Sequence, residues 1–267
     1  MHDKSKAISV IIPSYNGRTL LEKNISTILN QLESYDEVIV VDDGSQDDTQ
    51  AYIVERLGHP QVRVYSIASN ARFARAANHG VEAANNAYIF LCNNDVRLQE
   101  HCLTRLRSHI GVDNLFAVGC LEYEDHIGGK KSGKNKLWFS RGLYQHSAAD
   151  TFESGPTAWA SGGSALFDRQ KWLQLGGFDE KFSPAYWEDV DLSFRAHQRG
   201  WLVLFDADAV VLHKHETTNA AIFGKQHLET ISWKHGQYFT WKHASLFRKL
   251  LFLVWWPYWF LRRSLRQ

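Results

Sequence analysis

Hydrophobic residues in the first 110 positions alternate between two patterns. Short segments with a continuously apolar core are typical of strands buried on both faces, and they lie at 8–12, 37–43, 61–67 and 87–95. Between them, apolar side chains recur at helical spacing in 19–32, 46–57 and 71–84. Pro13 is expected to end the first strand. This alternation predicts an α/β fold with helices on both faces of a mostly parallel sheet.

The pattern is less regular after residue 120. Residues 122–155 are polar and rich in Gly, Lys and Ser, so no element is predicted there, and we expect a functional or mobile loop. A strand or turn with a helix follows in 159–178. A second helix is expected to end near Gly200, and a last apolar strand to end at His213.

Composition and charge narrow the class of protein. The 267 residues are 44% hydrophobic and 22% charged, values of an ordinary globular chain. A net charge of +1 gives no argument for a nucleic-acid partner, and none is expected. Three cysteines without a CxxC pair indicate a reducing compartment. Strand character begins within seven residues of the N-terminus and leaves no room for a signal peptide, so we expect a cytoplasmic location.

The end of the chain differs from the rest. An apolar run at 250–261 contains three tryptophans and is interrupted by Pro257. Its 12 residues are too few to span a bilayer, which needs about 20. Basic residues flank the run: Arg248, Lys249, Arg262, Arg263 and Arg266. We expect residues 246–266 to lie in the headgroup region of a membrane. A helix packed on the domain, or a subunit contact, remains the alternative, which leaves the oligomeric state open.

Polar residues cluster where the predicted parallel strands end. The clusters are Ser14-Tyr15-Asn16, Asp42-Asp43 and Asn93-Asn94-Asp95. Ligands bind at this edge of open α/β sheets. Helix capping explains the paired aspartates equally well, and a plain polar turn explains the third cluster. One aspartate with neighbouring amides also suits a magnesium site completed by a diphosphate.

A separate acidic cluster begins a predicted helix at 187–191, with the sequence WEDVD. Acidic residues are favourable in a first helical turn, so the helix dipole explains part of the pattern. Three carboxylates within four residues exceed what capping requires. One of them could act as a general base toward a hydroxyl group.

The order of these motifs along the chain resembles the family 2 glycosyltransferases over residues 8–218. The motifs are IIPSYN, VVDDGS, NARFARAANHG, LCNND, ASGGSALFDR, LGGFDE, WEDVDLSFRAHQRG and a late His213. The resemblance implies a Rossmann-like GT-A domain at 1–218, with a nucleotide-sugar half at about 1–120 and an acceptor half at about 121–218. Residues 219–267 would form a helical, basic-aromatic tail that associates with membranes. The most similar subgroup is that of bacterial rhamnosyltransferases for surface polysaccharides.

The resemblance also implies roles for individual residues. The nucleotide-sugar donor would be bound by Pro13, Ser14, Tyr15, Asn16, Asp42, Asp43, Arg72, Asn78, Asn93 and Asn94. The family usually has glycine at the position of Arg72. That departure either places a guanidinium near the phosphates or alters a turn.

Metal and catalytic residues follow from the same resemblance. Asp95 and His213 would bind Mg²⁺ or Mn²⁺, although Asn93 replaces the first carboxylate of the usual Asp-x-Asp motif. Asp189 matches the catalytic base, with Glu188 as the second candidate. The cleft for acceptor and donor sugar would be shaped by Trp159, Gly162, Gly163 and Trp187.

The implied activity is inverting transfer of a sugar from a dTDP- or UDP-linked donor to a hydroxyl of a glycan or lipid-linked acceptor. The protein would act in surface polysaccharide or lipopolysaccharide synthesis at the inner face of the cytoplasmic membrane. The alternative is a nucleotide-sugar-binding or scaffold protein that has lost catalysis, for which Asn93 is the warning sign. A dinucleotide-dependent oxidoreductase is set aside because no GxGxxG follows the first strand.

Overall fold

The computed structural model describes residues 3–124, 126–213 and 224–264. Within these ranges the strands are β1 (Ile8–Ser14), β2 (Glu37–Asp42), β3 (Val62–Ser66), β4 (Tyr88–Cys92), β5 (Val96–Leu98), β6 (Leu115–Tyr123), β7 (Lys131–Ser132), β8 (Asn135–Ser140), β9 (Leu143–Ala148), β10 (Gly155–Pro156), β11 (Ser164–Asp168) and β12 (Leu202–His213). The α-helices are α1 (Arg18–Leu29), α2 (Thr49–Ala51, continued by a π-helical turn Tyr52–Leu57), α3 (Phe73–Ala83), α4 (Cys102–Ser108), α5 (Arg169–Leu175), α6 (Glu188–Gln198), α7 (Lys225–His243) and α8 (Leu246–Ser264).

One large sheet organises the chain, with the strand order β10-β12-β6-β11-β4-β1-β2-β3. The four strands from β4 to β3 are mutually parallel, and β12 runs parallel to β6. Strand β11 lies between β4 and β6 and is antiparallel to both. The α/β fold is therefore confirmed, and strands from both predicted halves of the domain share one sheet. The predicted boundary at residue 218 lies outside the described residues.

Helices cover both faces of the sheet, which explains why its strands are continuously apolar. Along β1, Val10 and Ile12 belong to a core that includes side chains of α1, α2 and α4. Ile11, on the opposite face of the same strand, belongs to a second core with side chains of α3, α5 and α6. Because both faces are buried, the polar residues are left at the strand ends, where the candidate site forms.

Two details differ from the sequence-based prediction. Strand β1 continues through Pro13 to Ser14, because its pairing with β4 ends at Ile11 and only β2 still pairs beside the proline. The unassigned segment 122–155 contains a two-stranded antiparallel hairpin, β8–β9, separate from the main sheet. The hairpin is hard to recognise because its strands lack a regular apolar alternation.

The predicted C-terminal helical tail is present as α7 and α8. Helix α7 packs in a third core with the hairpin and α6, through Phe239, Tyr144 and Trp187. Helix α8 rests on the turn of the hairpin, where Trp259 is buried and its indole Nε1 donates to the carbonyl oxygen of Arg141 at 2.7 Å. In the described part of the chain, none of the helices combines the length and apolar character needed to cross a membrane.

Candidate active site

The metal ligands expected from sequence lie together although 118 residues separate them. His213 ends β12 and Asp95 follows β4, and the imidazole Nε2 lies 3.4 Å from Asp95 Oδ1. Strand β12 pairs there with β5, the strand directly after Asp95, and this pairing brings the two side chains together. The amide Nδ2 of Asn93 lies 3.5 Å from the same imidazole nitrogen.

Glu122, which was not among the residues selected from the sequence, completes this cluster. It lies near the end of β6 and is buried, and its Oε2 is 3.6 Å from His213 Nδ1. The hydroxyl of Ser164 donates to Oε1 at 2.5 Å, and that of Ser132 to Oε2 at 3.0 Å. Burial lowers the pKa of His213, but the carboxylates of Glu122 and Asp95 outweigh it and raise the pKa to about 10. Histidine therefore carries the positive charge between two acids.

The donor set fits a divalent cation that a substrate shares with the protein. A carboxylate and an imidazole are suitable ligands for Mn²⁺, and Mg²⁺ is usually held by one or two protein ligands with phosphate oxygens. Among the described residues, no cluster of three or more His, Cys, Asp or Glu side chains is arranged to hold a metal. A cation between Asp95 and His213 would need further ligands, such as diphosphate oxygens, and would displace the proton of the imidazole.

Asp189 begins helix α6 beside the glycine turn that precedes β11. Its Oδ2 accepts a hydrogen bond from the backbone N–H of Gly162 at 3.2 Å, and its Oδ1 accepts one from Val190 at 2.8 Å. Burial raises the pKa of Asp189 to about 6, against the lowering effect of these hydrogen bonds. The carboxylate is therefore ionised at neutral pH, and its basicity is higher than that of an exposed aspartate, as general-base catalysis requires.

Glu188 precedes Asp189 and lies in a different environment. Its side chain is buried, and Oε2 has no hydrogen-bond partner among the described residues. Burial, with the charge of Asp189 as a second cause, raises the pKa of Glu188 well above its usual range. A raised pKa favours the protonated form of Glu188, which cannot act as a base, so the electrostatics favour Asp189 of the two candidates.

Four residues were predicted to shape the cleft: Trp159, Gly162, Gly163 and Trp187. Gly162 donates to Asp189, as described above. Gly163 lies against the metal cluster, since a Cβ there would be 2.9 Å from Cε1 of His213 and 2.8 Å from Nδ2 of Asn93. Any side chain at this position would therefore displace a candidate ligand. Trp187 caps α6 in a left-handed conformation, with φ at 79°, and Trp159 packs in the same aromatic core.

The DDGS aspartates are buried and have structural partners. Asp43 accepts hydrogen bonds from the backbone N–H groups of Ala71 and Arg72 at 2.6 and 2.9 Å, and Asp42 accepts one from Ser45 at 3.1 Å. Burial raises the pKa of Asp43. Both carboxylates therefore shape the loops that border the expected nucleotide pocket, which agrees with the capping alternative without excluding ligand contact.

Arg72 has φ at 73° and ψ at 167°, a conformation that glycine adopts readily and other residues adopt with strain. This explains why the resembling family usually has glycine there. The backbone N–H groups of Ala71 and Arg72 are fixed by Asp43 despite the strain.

The remaining predicted donor contacts lie at the end of β1 and directly after β1 and β4. Asn94 Nδ2 donates to the hydroxyl of Ser14 at 3.0 Å, and Asn16 Oδ1 accepts from the N–H of Gln46 at 2.7 Å. Pro13 and Tyr15, the neighbours of Ser14, are half-buried at the same strand end. These contacts join the ends of β1, β2 and β4 into one edge.

Asn78 instead joins α3 to the turn after α5. Its Oδ1 accepts from the N–H of Phe178 at 2.8 Å, and its Nδ2 donates to the carbonyl oxygen of the same residue at 3.0 Å. Two of its hydrogen-bonding groups are thus used within the protein. The structure assigns Asn78 a bridging role, and its contact with a nucleotide stays a prediction.

Comparison with known proteins agrees with this geometry. The model of Glycosyl transferase family 2 matches residues 9–172, more than half of the chain. An N-acetylglucosaminyl-diphospho-decaprenol L-rhamnosyltransferase of Mycobacterium tuberculosis is 26% identical over 77% of this chain and 75% of the relative. An O-antigen chain rhamnosyltransferase of Salmonella typhimurium is 26% identical over 79% of this chain and 67% of the relative.

Solved structures share the fold. A mannosyltransferase from Pyrobaculum calidifontis, in complex with GDP-Man and Mn²⁺, superposes with a TM-score of 0.63 at 18% identity, over 93% of this chain and 73% of that one. GalNAc-T7 with UDP, GalNAc and Mn²⁺ gives a TM-score of 0.65 at 17% identity, over 78% of this chain and 43% of that one. At such identities the likeness concerns the fold alone.

Proposed function

Since the chain belongs to glycosyl transferase family 2, we propose that it transfers a sugar from a nucleoside-diphosphate sugar to an acceptor hydroxyl with inversion of configuration. The observation that carries this proposal is the position of Asp189. Its carboxylate is half-buried, is held by the backbone of Gly162 and Val190, and has a pKa raised to about 6. Glu188 is the weaker candidate for the base, since burial favours its protonated form.

In the proposed mechanism, Asp189 accepts the proton of the acceptor hydroxyl while that oxygen attacks the anomeric carbon. The bond from that carbon to the nucleoside diphosphate breaks in the same displacement, which inverts the configuration. Asp95 and His213 would hold Mg²⁺ or Mn²⁺, which supplies positive charge for the departing diphosphate. The hydrogen bonds from Gly162 and Val190 fix the orientation of the base before the acceptor arrives.

The donor half of the site is proposed to lie along the ends of β1, β2 and β4. Ser14, Asp42 and Asp43 border it, and the loop at Ala71 and Arg72 is fixed by Asp43. A dTDP- or UDP-linked sugar is the proposed donor. Rhamnose is the first sugar to test, because the two relatives described above are named as rhamnosyltransferases.

The acceptor is proposed to be a glycan or lipid-linked saccharide of a bacterial surface polysaccharide. The mycobacterial relative is named for an acceptor of N-acetylglucosamine linked by diphosphate to decaprenol. The Salmonella relative is named for the O-antigen chain. A lipid-linked acceptor would bring the enzyme to a membrane surface, and the last helix has the properties that such a location needs.

Helix α8 presents an exposed apolar face. Seven of its large hydrophobic side chains are 55–78% exposed and share that face: Leu246, Phe247, Leu250, Leu253, Val254, Phe260 and Leu261. Its opposite side is anchored by Trp259, and Arg248 contacts the Tyr144 hydroxyl at 2.6 Å. Exposed apolar area of this extent marks an interaction surface. We place it in the headgroup region of the inner leaflet, where the basic residues of 246–266 meet anionic lipids.

Cosedimentation with anionic liposomes tests the membrane surface. A variant with Leu250, Leu253 and Val254 replaced by Gln retains α8, and a truncation after Ser245 removes it. Both should lose most binding, whereas Trp138→Gln on the hairpin, which removes another exposed aromatic side chain, should not. Equal sedimentation of all four proteins would refute this location.

Donor binding tests the proposed function itself. Nucleoside diphosphates and nucleotide sugars are screened for thermal stabilisation with and without Mn²⁺ or Mg²⁺. A nucleoside diphosphate that stabilises the protein only with metal supports the transferase and identifies the base of the donor. Stabilisation without any effect of metal would reject Asp95 and His213 as ligands. Absence of stabilisation by the whole panel would contradict the proposed donor class.

A further inference from the structure

The imidazole of His146 lies at the edge of the aromatic core, on the hairpin that sequence patterns did not predict. This residue of β9 is exposed. Its ring centroid lies 4.7 Å from that of Trp187 and 5.3 Å from that of Trp159. Both contacts are nearly perpendicular, with interplanar angles of 82° and 87°. His146 thus joins two indoles that come from different segments of the chain.

Each of these segments leads directly to the proposed base. Trp187 is followed by Glu188 and Asp189 at the start of α6, and Trp159 precedes the turn whose Gly162 donates to Asp189. The ring of His146 is therefore fixed beside both chain segments that hold the base. Being exposed, it is accessible to a substrate that approaches Asp189.

The backbone at Trp187 is strained. It and Tyr186 both have left-handed backbone conformations, with φ at 79° and 73°. Helix α7 also supports the indole, because Gly236 leaves room for it and Phe239 packs at 5.0 Å between ring centroids. Strained aromatic residues that the surroundings hold in this way are typical of functional sites.

Two polar atoms in this region lack partners among the described residues. They are the indole Nε1 of Trp187, a residue only 5% exposed, and Oε2 of Glu188, which is 7% exposed. Leaving a buried donor or acceptor without a hydrogen bond is costly. Both atoms lie in the packed shell around the proposed base, so this shell contains hydrogen-bonding groups that the described residues do not use.

The chemistry of the walls indicates a sugar ring rather than a phosphate group. Desolvation lowers the pKa of His146, so its imidazole is uncharged at neutral pH and both donates and accepts hydrogen bonds. The indoles of Trp187 and Trp159 are only 5% and 8% exposed, so the imidazole itself is the group of this cluster that a sugar hydroxyl can reach.

We propose that His146 is a specificity-determining residue, which binds a hydroxyl of the acceptor pyranose next to the one that Asp189 deprotonates. The inference rests on the proposed function and names the substrate group that the hairpin recognises. The donor is not its ligand, because the proposed donor edge is formed by the ends of β1, β2 and β4 rather than by β9.

Steady-state kinetics of His146→Phe test this role, since phenylalanine preserves the ring contacts with both indoles and removes only the nitrogens. The acceptor probe is N-acetylglucosamine linked through diphosphate to a farnesyl chain, and the donor is dTDP-rhamnose or the donor found by thermal stabilisation. We expect KM for the acceptor to rise by about 5–10-fold, the typical effect of one lost neutral hydrogen bond, with KM for the donor and Tm unchanged. His146→Ala should raise it further, because the ring contacts are lost as well.

Ser147→Ala is the matched control, because Ser147 is the next residue of β9 and points to its other face. An acceptor KM for His146→Phe equal to that of this control would overturn the proposal. A parallel rise of both donor and acceptor KM would also overturn it, since that indicates a general structural effect. Failure of the proposed function is distinguishable, because the wild-type protein would then show neither donor binding nor transfer.

Discussion

A buried ion cluster fixes α6, the helix that contains the proposed base, to α7, and breaking it should destabilise the fold strongly. Asp191, two residues after Asp189 in α6, is fully buried. Its Oδ1 accepts from His243 Nε2 at 2.7 Å and from Lys242 Nζ at 2.8 Å, and its Oδ2 accepts from Arg195 Nε at 2.7 Å. Asp191→Asn removes the negative charge and leaves Lys242 and Arg195 facing a neutral amide.

The expected cost follows from burial. Removing one partner of a buried ion pair typically costs 3–5 kcal/mol, and an asparagine oxygen can still accept one hydrogen bond. Lys242 is 25% exposed and regains part of its hydration, whereas His243 is only 6% exposed. We therefore expect a loss of about 3 kcal/mol, which lowers Tm by roughly 6–12 °C in a chain of this size.

Urea denaturation at pH 7 gives the free energy of unfolding, and Asp150→Asn provides the control. Asp150 pairs with Lys136 at 2.7 Å, but its side chain is 87% exposed, so its loss should cost less than about 0.5 kcal/mol. Equal stability of the two variants would refute the claim that the cluster holds α6 to α7.

Acid should abolish the difference between wild type and Asp191→Asn. Burial raises the pKa of Asp191, but the hydrogen bond from His243 and the charges of Arg195 and Lys242 outweigh it and lower the pKa. A lowered pKa contributes stability above the unfolded-state pKa, and this stability is lost as pH falls through the folded-state pKa. A stability gap that stays constant below pH about 4 would contradict this attribution to charge.

The remaining predictions concern the base, the strained arginine and one helix glycine. Because burial raises the pKa of Asp189 to about 6, kcat should fall about tenfold for each pH unit below that value, and a profile flat to pH 5 would exclude Asp189 as the titrating base. Arg72→Gly should relieve the backbone strain at φ 73° and raise the midpoint of urea denaturation. The same variant should bind the nucleoside diphosphate more weakly in calorimetry. A lower midpoint would show that the arginine side chain stabilises the fold more than the strain destabilises it. Gly236→Ala would normally stabilise a helix by about 1 kcal/mol, but its Cβ would lie 2.9 Å from the Trp187 indole, so we expect lower Tm and lower kcat, and a higher Tm would contradict this packing.

Local patterns were sufficient to predict the first half of the fold. The apolar cores of β1, β2 and β4 and the helical spacing in α1 and α3 are properties of contiguous residues. The position of β11 between β4 and β6 depends instead on pairing between segments that are far apart in the chain, which no local periodicity encodes.

In the candidate site, too, local motifs could be predicted from sequence and tertiary contacts could not. Asp95, Asp189 and His213 carry the motifs of the resembling family, and the structure brings Asp95 and His213 together. Glu122 was missed, although its place near the end of an apolar strand, at the start of a polar segment, was a usable signal. His146 had no such signal, because its position beside Trp187 results from tertiary packing of the hairpin.

The measurement that tests the central claim most directly is sugar transfer by Asp189→Asn, with nucleoside-diphosphate binding measured on the same sample and Glu188→Gln as its partner variant. The account predicts that Asp189→Asn loses transfer by about 10²–10⁴-fold, the usual contribution of a general base, while thermal stabilisation by the nucleoside diphosphate and metal is retained. Glu188→Gln should retain more transfer than Asp189→Asn, because burial favours the uncharged form of Glu188 and glutamine is uncharged as well. Transfer by Asp189→Asn at the wild-type rate would contradict the account.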